Sequence, residues 1–265
     1  MTATRTPAAS TSRSRGAPDG SPVRTALIKA EIIKQYNLKG KDTMSIAVAL
    51  DGPAGAGKST IARRAAKALG YIYVDTGALY RTVGLAATEA GVSPVDSPEL
   101  DDLLQTIRVE LTFTEQGEQA VLLNGTDVSD RIRTPEASMT ASKISAIPKV
   151  RAFLLDLQRD MAKTNDIIMD GRDIGTVVLP DAQVKIFLTA SPEARAGRRF
   201  KELAEKGMDV KYEDILSDVK ERDYNDTHRA TAPLKAAADS VTVDTTELDF
   251  EQSVEAVLAV IKEKI

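Results

Sequence analysis

The residues best suited to chemistry form a glycine-rich octapeptide that matches G-x-x-x-x-G-K-[ST] at every position. It consists of Gly52, Pro53, Ala54, Gly55, Ala56, Gly57, Lys58 and Ser59. The glycines allow backbone N–H groups to turn toward one point, where they can hold an oligophosphate together with the positive end of a following helix. In such a loop the lysine reaches the β and γ phosphates and the hydroxyl ligates Mg²⁺. The octapeptide therefore predicts a nucleoside triphosphate site, with Thr60 as a neighbouring contact.

An aspartate after a later apolar segment could complete this site. Asp170 directly follows the apolar residues 167–169, and open α/β sheets bind their ligands at the carboxyl ends of strands. Its carboxylate could hold Mg²⁺ through water, or it could only stabilise a turn. The phosphate loop alone fits a kinase, a hydrolase or a mechanical ATPase, although the chain has no Asn/Thr-Lys-x-Asp sequence that would read guanine.

Arginines recur at positions that we expect to be loops or helix ends. They are Arg81, Arg151, Arg172, Arg195, Arg198, Arg199, Arg222 and Arg229. A single arginine is more often a surface residue or an ion-pair partner. Arg81, however, follows Asp75-Thr76-Gly77 by one helical turn, and Arg172 lies in the loop after Asp170, so both can approach the phosphate loop. This arrangement predicts a second site for a phosphorylated ligand.

A basic helix is expected between residues 191 and 207, and a second helix follows it. On the second helix Arg222, Asp226 and Arg229 are spaced four and three apart, which puts them on one face. We expect about 191–230 to form a lid that carries cations over a transferring phosphoryl group and excludes water. The alternative is a salt-bridged surface helix.

The elements around these residues alternate between strands and helices. Strands are predicted at 46–50, 71–74, 167–169, 184–188 and 241–243, and helices at 59–69, 78–90, after Ser191-Pro192-Glu193, and at 250–262. Five buried strands interleaved with helices predict an α/β fold with a parallel sheet and right-handed crossovers. Strand-like segments around Gln116-Gly117 and Asn124-Gly125 predict a small antiparallel insert at about 106–140.

Composition limits the classes of function. The chain has 265 residues, of which 42% are hydrophobic and 28% charged, and its net charge of -4 provides no overall basic field for nucleic acid or an anionic membrane. With no Cys and one His, a metal site should use oxygen ligands. No apolar run approaches the ~18 residues of a membrane span. We therefore expect a soluble cytoplasmic protein.

Residues 1–43 differ from the rest of the chain. They contain eight Lys and Arg against three Asp and Glu, with repeated Ser, Thr, Ala and Pro. We expect a disordered basic extension, with 44–265 as the folded domain. Three interpretations stay open: a tail upstream of an ancestral start at Met44, an organelle transit peptide, or a binding arm.

Several separate blocks together resemble the bacterial-type cytidylate kinases, a family of P-loop nucleoside monophosphate kinases. The blocks are residues 46–59, Asp75-Thr76-Gly77-Ala78-Leu79-Tyr80-Arg81, Asp170-Gly171-Arg172-Asp173-Ile174-Gly175-Thr176-Val177-Val178, residues 184–188, Arg222-Asp223 with Asp226 and Arg229, and Ala232-Pro233-Leu234. The resemblance covers roughly 44–262. It implies a P-loop kinase fold in which the insert enlarges the monophosphate-binding region.

The resemblance also implies an activity and a set of site residues. The γ-phosphoryl of ATP would pass to CMP or dCMP in line, with Mg²⁺ and without a covalent intermediate. Lys58, Arg172, Arg222 and Arg229 would be the catalytic group. Ser142, Arg151 and Asp173 would face the cytosine, Arg81 and Arg172 would grip the monophosphate with Asp75 and Thr76 lining the site, and Arg222 with Asp226 would contact the sugar. Arg195, Arg199 and Arg229 would belong to the cationic lid, with Arg195 and Arg199 assigned to ATP.

One position departs from the family pattern, because the family usually has Ser where this chain has Thr76. The added methyl group could alter the fit of the sugar or base. The resemblance further implies a monomer whose partners are small nucleotides. Two alternatives remain: a kinase for another nucleoside monophosphate or small metabolite, and a non-catalytic ATP-binding module with the basic extension as its docking arm. A nucleic-acid role would rest on that extension alone.

Overall fold

The computed structural model describes residues 45–113 and 119–265. The expectations for residues 1–43 and for the turn at Gln116-Gly117 lie outside these ranges. In chain order the elements are β1 (Ala47–Asp51), α1 (Lys58–Leu69), β2 (Ile72–Asp75), α2 (Thr76–Glu89), α3 (Pro98–Thr106), β3 (Val109–Phe113), β4 (Gln119–Leu123), β5 (Thr126–Asp127), α4 (Pro135–Ile144), α5 (Pro148–Thr164), β6 (Ile167–Gly171), a π-helical turn (Ile174–Val178), β7 (Val184–Thr189), α6 (Pro192–Glu205), α7 (Tyr212–His228), β8 (Val241–Asp244) and α8 (Phe250–Lys264).

The predicted five-stranded parallel sheet is confirmed. Its strand order is β2-β6-β1-β7-β8, and every neighbouring pair is parallel. All five residues of the central strand β1 are buried, as expected for a strand covered on both faces. On one face α1 and α8 pack over the sheet, where Ile61 and Ile261 join one buried apolar cluster with Leu50 and Ile186.

The carboxyl end of this sheet is where the chain turns sharply. After β1, Gly52 has φ 153°, and a Cβ at this position would lie 1.9 Å from the carbonyl oxygen of Leu188. Only glycine fits so close an approach, so the first residue of the phosphate loop sits against the end of β7. The loop then leads into α1, which ends at Gly70 in the left-handed conformation.

The predicted insert is present as a three-stranded antiparallel sheet. β3 pairs with β4, and β4 pairs with β5. Residues Val109, Leu111 and Phe113 are buried and alternate with half-buried ones, the pattern of a sheet with one covered face. Helix α3 precedes this sheet and α4 and α5 follow it; the sequence patterns did not predict these three helices.

Two helix boundaries differ from the expectation. Helix α2 begins at Thr76 rather than at residue 78, because the Asp75 side chain caps it by accepting the Ala78 N–H at 3.0 Å. Helix α7 ends at His228, so Arg229 is its C-cap, with an extended backbone and an N–H that still donates to the carbonyl of Asn225 in the last turn. The cap predicted at Ser191 is confirmed, since its hydroxyl accepts the Ala194 N–H. Across the described ranges, no helix is long and apolar enough to cross a membrane.

Candidate nucleotide site

A cavity of about 340 Å³ lies at the carboxyl end of the parallel sheet. The phosphate loop, the start of α2, helix α4, the loop after β6 and helix α7 enclose it. The predicted site residues that line it are Ala54, Gly55, Gly57, Lys58, Ser59, Thr60, Asp75, Thr76, Arg81, Ser142, Arg151, Asp170, Arg172, Asp173, Arg222, Asp226 and Arg229. The fold therefore brings nearly all of them to one place. Gly52, Pro53, Ala56, Arg195 and Arg199 do not line this cavity.

The phosphate loop is preorganised for an anion. Gly57 has φ 83° and precedes α1, and the first turn of that helix contains no acidic residue. The positive end of the helix is therefore not neutralised by its own sequence. The Lys58 ammonium is buried and donates to the carbonyl of Pro53 at 2.7 Å, which folds the lysine back along its own loop.

Burial destabilises the charged form of the Lys58 amine. Burial and, to a smaller extent, the cation of Arg172 lower the pKa of the amine to about 7, and the charge of Asp170 opposes the shift. An oligophosphate placed beside this amine would favour its charged form. The site is therefore a poor environment for an isolated lysine and a good one for a lysine that faces phosphate.

Ser59 and Asp170 form the candidate metal position. The Ser59 hydroxyl donates to Asp170 Oδ2 at 2.7 Å, and the Tyr73 hydroxyl donates to Asp170 Oδ1 at 3.2 Å. Burial, followed by the nearby charge of Asp75, raises the pKa of Asp170 to about 6. A hydroxyl beside a carboxylate is a hard oxygen donor set, and this fits Mg²⁺, which usually keeps several waters and few protein ligands. Among the described residues no cluster of three or more His, Cys, Asp or Glu offers a different metal site.

The start of α2 forms one wall of the cavity. Asp75 Oδ2 accepts from the Arg81 guanidinium at 2.8 Å, and this ion pair is about one-fifth exposed on both sides. The Thr76 hydroxyl is buried and donates to the backbone carbonyl of Asp170 at 2.8 Å. The hydroxyl that the family resemblance assigns to substrate is thus used by the protein to join α2 to β6.

A buried charged group also lines the cavity. The Asp173 carboxylate pairs with the Arg151 guanidinium in a close buried contact, and Nη2 of Arg229 lies 3.5 Å from its other oxygen. Burial raises the pKa of Asp173, while Arg151 and Arg229 oppose this shift. The Arg151 guanidinium also lies 5.7 Å from the ring centre of Tyr80, a cation–π geometry that helps to orient it. Ser142 of α4 lines the same cavity.

Helix α7 contributes the remaining wall. Nε of Arg172 donates to the Asp226 carboxylate at 2.8 Å, and this bond joins the loop after β6 to α7. Arg222, one helical turn before Asp226, lines the cavity on the same side. Arg222 and Asp226 therefore lie on the same side of α7, as the spacing predicted, and Arg172 contacts that side through Asp226.

The cavity as a whole suits an anionic ligand. Six cationic side chains and four carboxylates line it. Two of the guanidinium nitrogens, Nε of Arg81 and Nη2 of Arg229, are buried with no hydrogen-bond partner. Buried donors of this kind normally have an acceptor, and phosphate oxygens are the acceptors that arginine matches best.

The two arginines outside the cavity have different surroundings. Arg195 is buried and donates to the carbonyls of Ala54 and Ala190 at 2.9 Å each, and it forms a bidentate pair with Asp223 of α7. It therefore supports the phosphate loop from behind. Arg199 is exposed and pairs with Glu202 one turn along the same helix.

Two further residues shape the site without a motif that could have identified them. The buried Asp51 carboxylate accepts the N–H groups of Ile174 and Gly175 at 2.8 Å each, which fixes the turn after Asp173. Burial raises the pKa of Asp51 to about 6, and the two backbone bonds oppose the shift. Gln119 contacts the backbone of Asp75. The only sequence feature that could have pointed to either residue was the position of Asp51 directly before Gly52 of the phosphate loop.

A parallel sheet, a phosphate loop leading into α1 and a second cation-lined half of the same cavity define a P-loop kinase. Within this class the chain belongs to the cytidylate kinase family, because the family model described as "Cytidylate kinase" matches residues 48–263. Relatives named "Cytidylate kinase" include one from Caldicellulosiruptor bescii, 49% identical over 80% of this chain and 94% of that protein. One from Fervidobacterium nodosum is 48% identical over 83% and 98% respectively, and one from Lactobacillus gasseri is 49% identical over 82% and 94%.

Proposed function

We propose that this protein transfers the γ-phosphoryl group of ATP to CMP and dCMP, with Mg²⁺, to give ADP and the nucleoside diphosphate. The observation that carries the proposal is a single cavity that is lined both by the phosphate loop and by the Asp173–Arg151 group. Two nucleotides bound with their phosphates toward each other would occupy it together. Membership of the cytidylate kinase family supports this choice of acceptor.

The chemistry needs positioning and charge stabilisation more than it needs a base. In phosphoryl transfer the charge spreads over the oxygens of the moving group, and preorganised cations stabilise it. Lys58 would contact the β and γ phosphates of the donor, while Arg81 and Arg172 would hold the acceptor phosphate in line. Arg222 and Arg229 would add positive charge from the α7 side when the lid excludes water.

The metal would be held at the Ser59–Asp170 pair. Mg²⁺ supplies charge neutralisation between the β and γ phosphates. Ser59 would turn its hydroxyl oxygen from Asp170 toward the ion, and the carboxylate of Asp170 would orient the waters around it. The hard oxygen donors of this pair support the assignment.

Cytosine would be distinguished from uracil by Asp173. Its carboxylate has about four acceptor positions, of which the hydrogen bond from Arg151 uses one, while Nη2 of Arg229 lies 3.5 Å away as an ion-pair partner without a hydrogen bond. The exocyclic amine of cytosine can donate to a free position, whereas uracil carries a carbonyl there and would face a carboxylate. Arg151 and Ser142 would donate to the ring acceptors, and Arg222 with Asp226 would contact the sugar.

Further parts of the proposal rest on the family resemblance. We propose that 44–265 is the kinase domain, that about 191–230 acts as the lid with Arg195 and Arg199 on the ATP side, and that the protein is a cytoplasmic monomer. Arg195 would support ATP binding indirectly, by holding the carbonyl of Ala54 in the phosphate loop. It would not touch phosphate, since its guanidinium is buried behind the loop.

The test is a coupled ADP-release assay with ATP and Mg²⁺. CMP, dCMP, UMP, AMP, shikimate and no acceptor are compared, on the full chain and on a chain that begins at Met44. We expect strong signals with CMP and dCMP from both chains. ADP release without an acceptor would indicate an ATPase, no release would indicate a binding module, and a preference for AMP or shikimate would indicate a different kinase.

A further inference from the structure

We propose that Gln119, on the antiparallel insert, is a positioning residue for the acceptor half of the nucleotide site. The inference rests on the proposed function, because it concerns residues that would hold CMP. The side-chain amide of Gln119 bonds both peptide groups of Asp75: Oε1 accepts the Asp75 N–H at 2.8 Å, and Nε2 donates to the Asp75 carbonyl at 3.3 Å. These two residues are 44 positions apart in the chain.

The position of β2 in the sheet explains why this contact matters. Among the described strands β2 lies at the edge of the sheet and pairs with β6 alone. In a parallel strand one residue directs its N–H and its C=O to the same side, and at Asp75 both point away from β6 toward Gln119. The glutamine amide therefore takes the place of a missing strand neighbour at one residue, the last of β2.

The side chain of Asp75 connects its fixed backbone to residues that line the cavity. Its Oδ1 caps α2 by accepting the Ala78 N–H, and its Oδ2 accepts from Arg81. Thr76, the next residue, donates to the carbonyl of Asp170. Because Arg81 would grip the acceptor phosphate, a shift of the Asp75 backbone would move the acceptor groups and leave Lys58 in place.

The strand pairing of the insert holds the position of Gln119. Gln119 is the first residue of β4 and lies opposite Phe113 of β3 in the antiparallel register. Phe113, Val121 and Leu123 are buried, which fixes this face of the sheet against the protein. The insert would thus contribute to catalysis through one amide, without supplying a group that touches substrate.

Gln119→Met tests the proposal, because methionine has a similar length and cannot bond the Asp75 peptide. We expect KM for CMP, and the CMP dissociation constant measured by calorimetry without ATP, to rise about tenfold, the scale of one or two lost hydrogen bonds. KM for ATP should stay close to that of the wild type, and the melting temperature should fall by no more than the few degrees that the loss of one or two hydrogen bonds costs. Thr112→Ala is the matched control, since Thr112 pairs with Ala120 on the other face of the same sheet and should change neither KM.

Provided that the wild-type protein phosphorylates CMP normally, either of two results would contradict the role of Gln119. One is a Gln119→Met variant whose KM and dissociation constant for CMP are unchanged. The other is an equal rise of both KM values with a lower melting temperature, which would make the contact purely structural. A wild-type protein that does not phosphorylate CMP would instead contradict the proposed function.

Discussion

The hydroxyl of Ser59 donates a 2.7 Å hydrogen bond to the carboxylate of Asp170, and this bond joins the phosphate loop to the end of β6. The two residues are 111 positions apart, so the folded sheet alone brings them together. The bond holds both oxygens at the place where Mg²⁺ would bind. If Mg²⁺ binds there, its candidate oxygen ligands are already adjacent in the unliganded fold.

The first prediction concerns that position. Asp170→Asn keeps an oxygen that can accept from Ser59 but removes the negative charge, so the Mg²⁺ concentration that gives half-maximal activity should rise about tenfold or more, the scale reported for disturbed outer-shell ligands. Asp166→Asn is the control, because Asp166 accepts the N–H of Ile46 at the other end of β6. Magnesium titrations at saturating ATP measure the effect. An unchanged half-saturation point would exclude Asp170 from the metal site.

Lys58→Ala should reduce turnover on the order of 10³-fold, because the cation nearest the transferring group would be lost from a buried, water-poor site. Lys67→Ala, in the last turn of the same helix, should turn over CMP at the wild-type rate. The rate of ADP release at saturating substrates measures both. Turnover of Lys58→Ala near the wild-type value would contradict the assignment of the loop.

ATP binding should take up a proton at pH 8. The pKa of Lys58 is lowered to about 7, so its amine is mostly neutral in the free protein at that pH, and the incoming phosphates restore its charge. Asp51 and Asp170, whose pKa values are raised to about 6, are already ionised there and contribute little. Calorimetry in two buffers of different ionisation enthalpy gives the number of protons, which should approach one.

Lys58→Arg is the matched control for that measurement. A guanidinium stays protonated over this pH range, so binding to the variant should take up no proton. Absence of uptake by the wild type would show that the amine is already charged before ATP arrives.

Asp173→Ala should weaken the preference for CMP over UMP, because the acceptor for the exocyclic amine disappears. Rejection through a lost hydrogen-bond partner in a built site is usually large, so we expect the ratio of kcat/KM values to fall at least tenfold. The exposed Asp181 provides the control as Asp181→Ala. If Asp173→Ala keeps the wild-type ratio, another group reads the base.

The sequence predicted the parts of the fold whose signals are local. Each buried strand appears as a short apolar run, and the phosphate loop occupies eight consecutive residues, so both could be identified before the fold was known. Helix α3 was missed because Leu100 is its only buried residue, which leaves almost no apolar periodicity. On α5 the buried stripe includes Arg151 and Gln158, and these polar residues obscure the helical pattern.

The positioning residues could not be predicted for a different reason. Asp51 and Gln119 both bind backbone N–H or carbonyl groups of distant residues, and backbone groups carry no sequence signature. The arginines that line the cavity were predicted from the family blocks, yet the sequence did not show that Arg195 would be buried against the phosphate loop while Arg172 would lie inside the cavity. Both residues are arginines near predicted strand ends, so the sequence alone gives them the same surroundings. Only their tertiary contacts place one behind the loop and the other inside the cavity.

The position of Arg195 has a consequence for how the two nucleotides influence each other. One buried guanidinium contacts the phosphate loop at Ala54 and helix α7 at Asp223, next to Arg222. A movement of the loop that reaches Arg195 therefore also reaches the acceptor wall. Thermodynamic reciprocity then requires that the factor by which ATP changes the affinity for CMP equals the factor by which CMP changes the affinity for ATP. Any coupling between donor and acceptor would thus be one quantity, and Arg195 is a residue that contacts both the loop and α7.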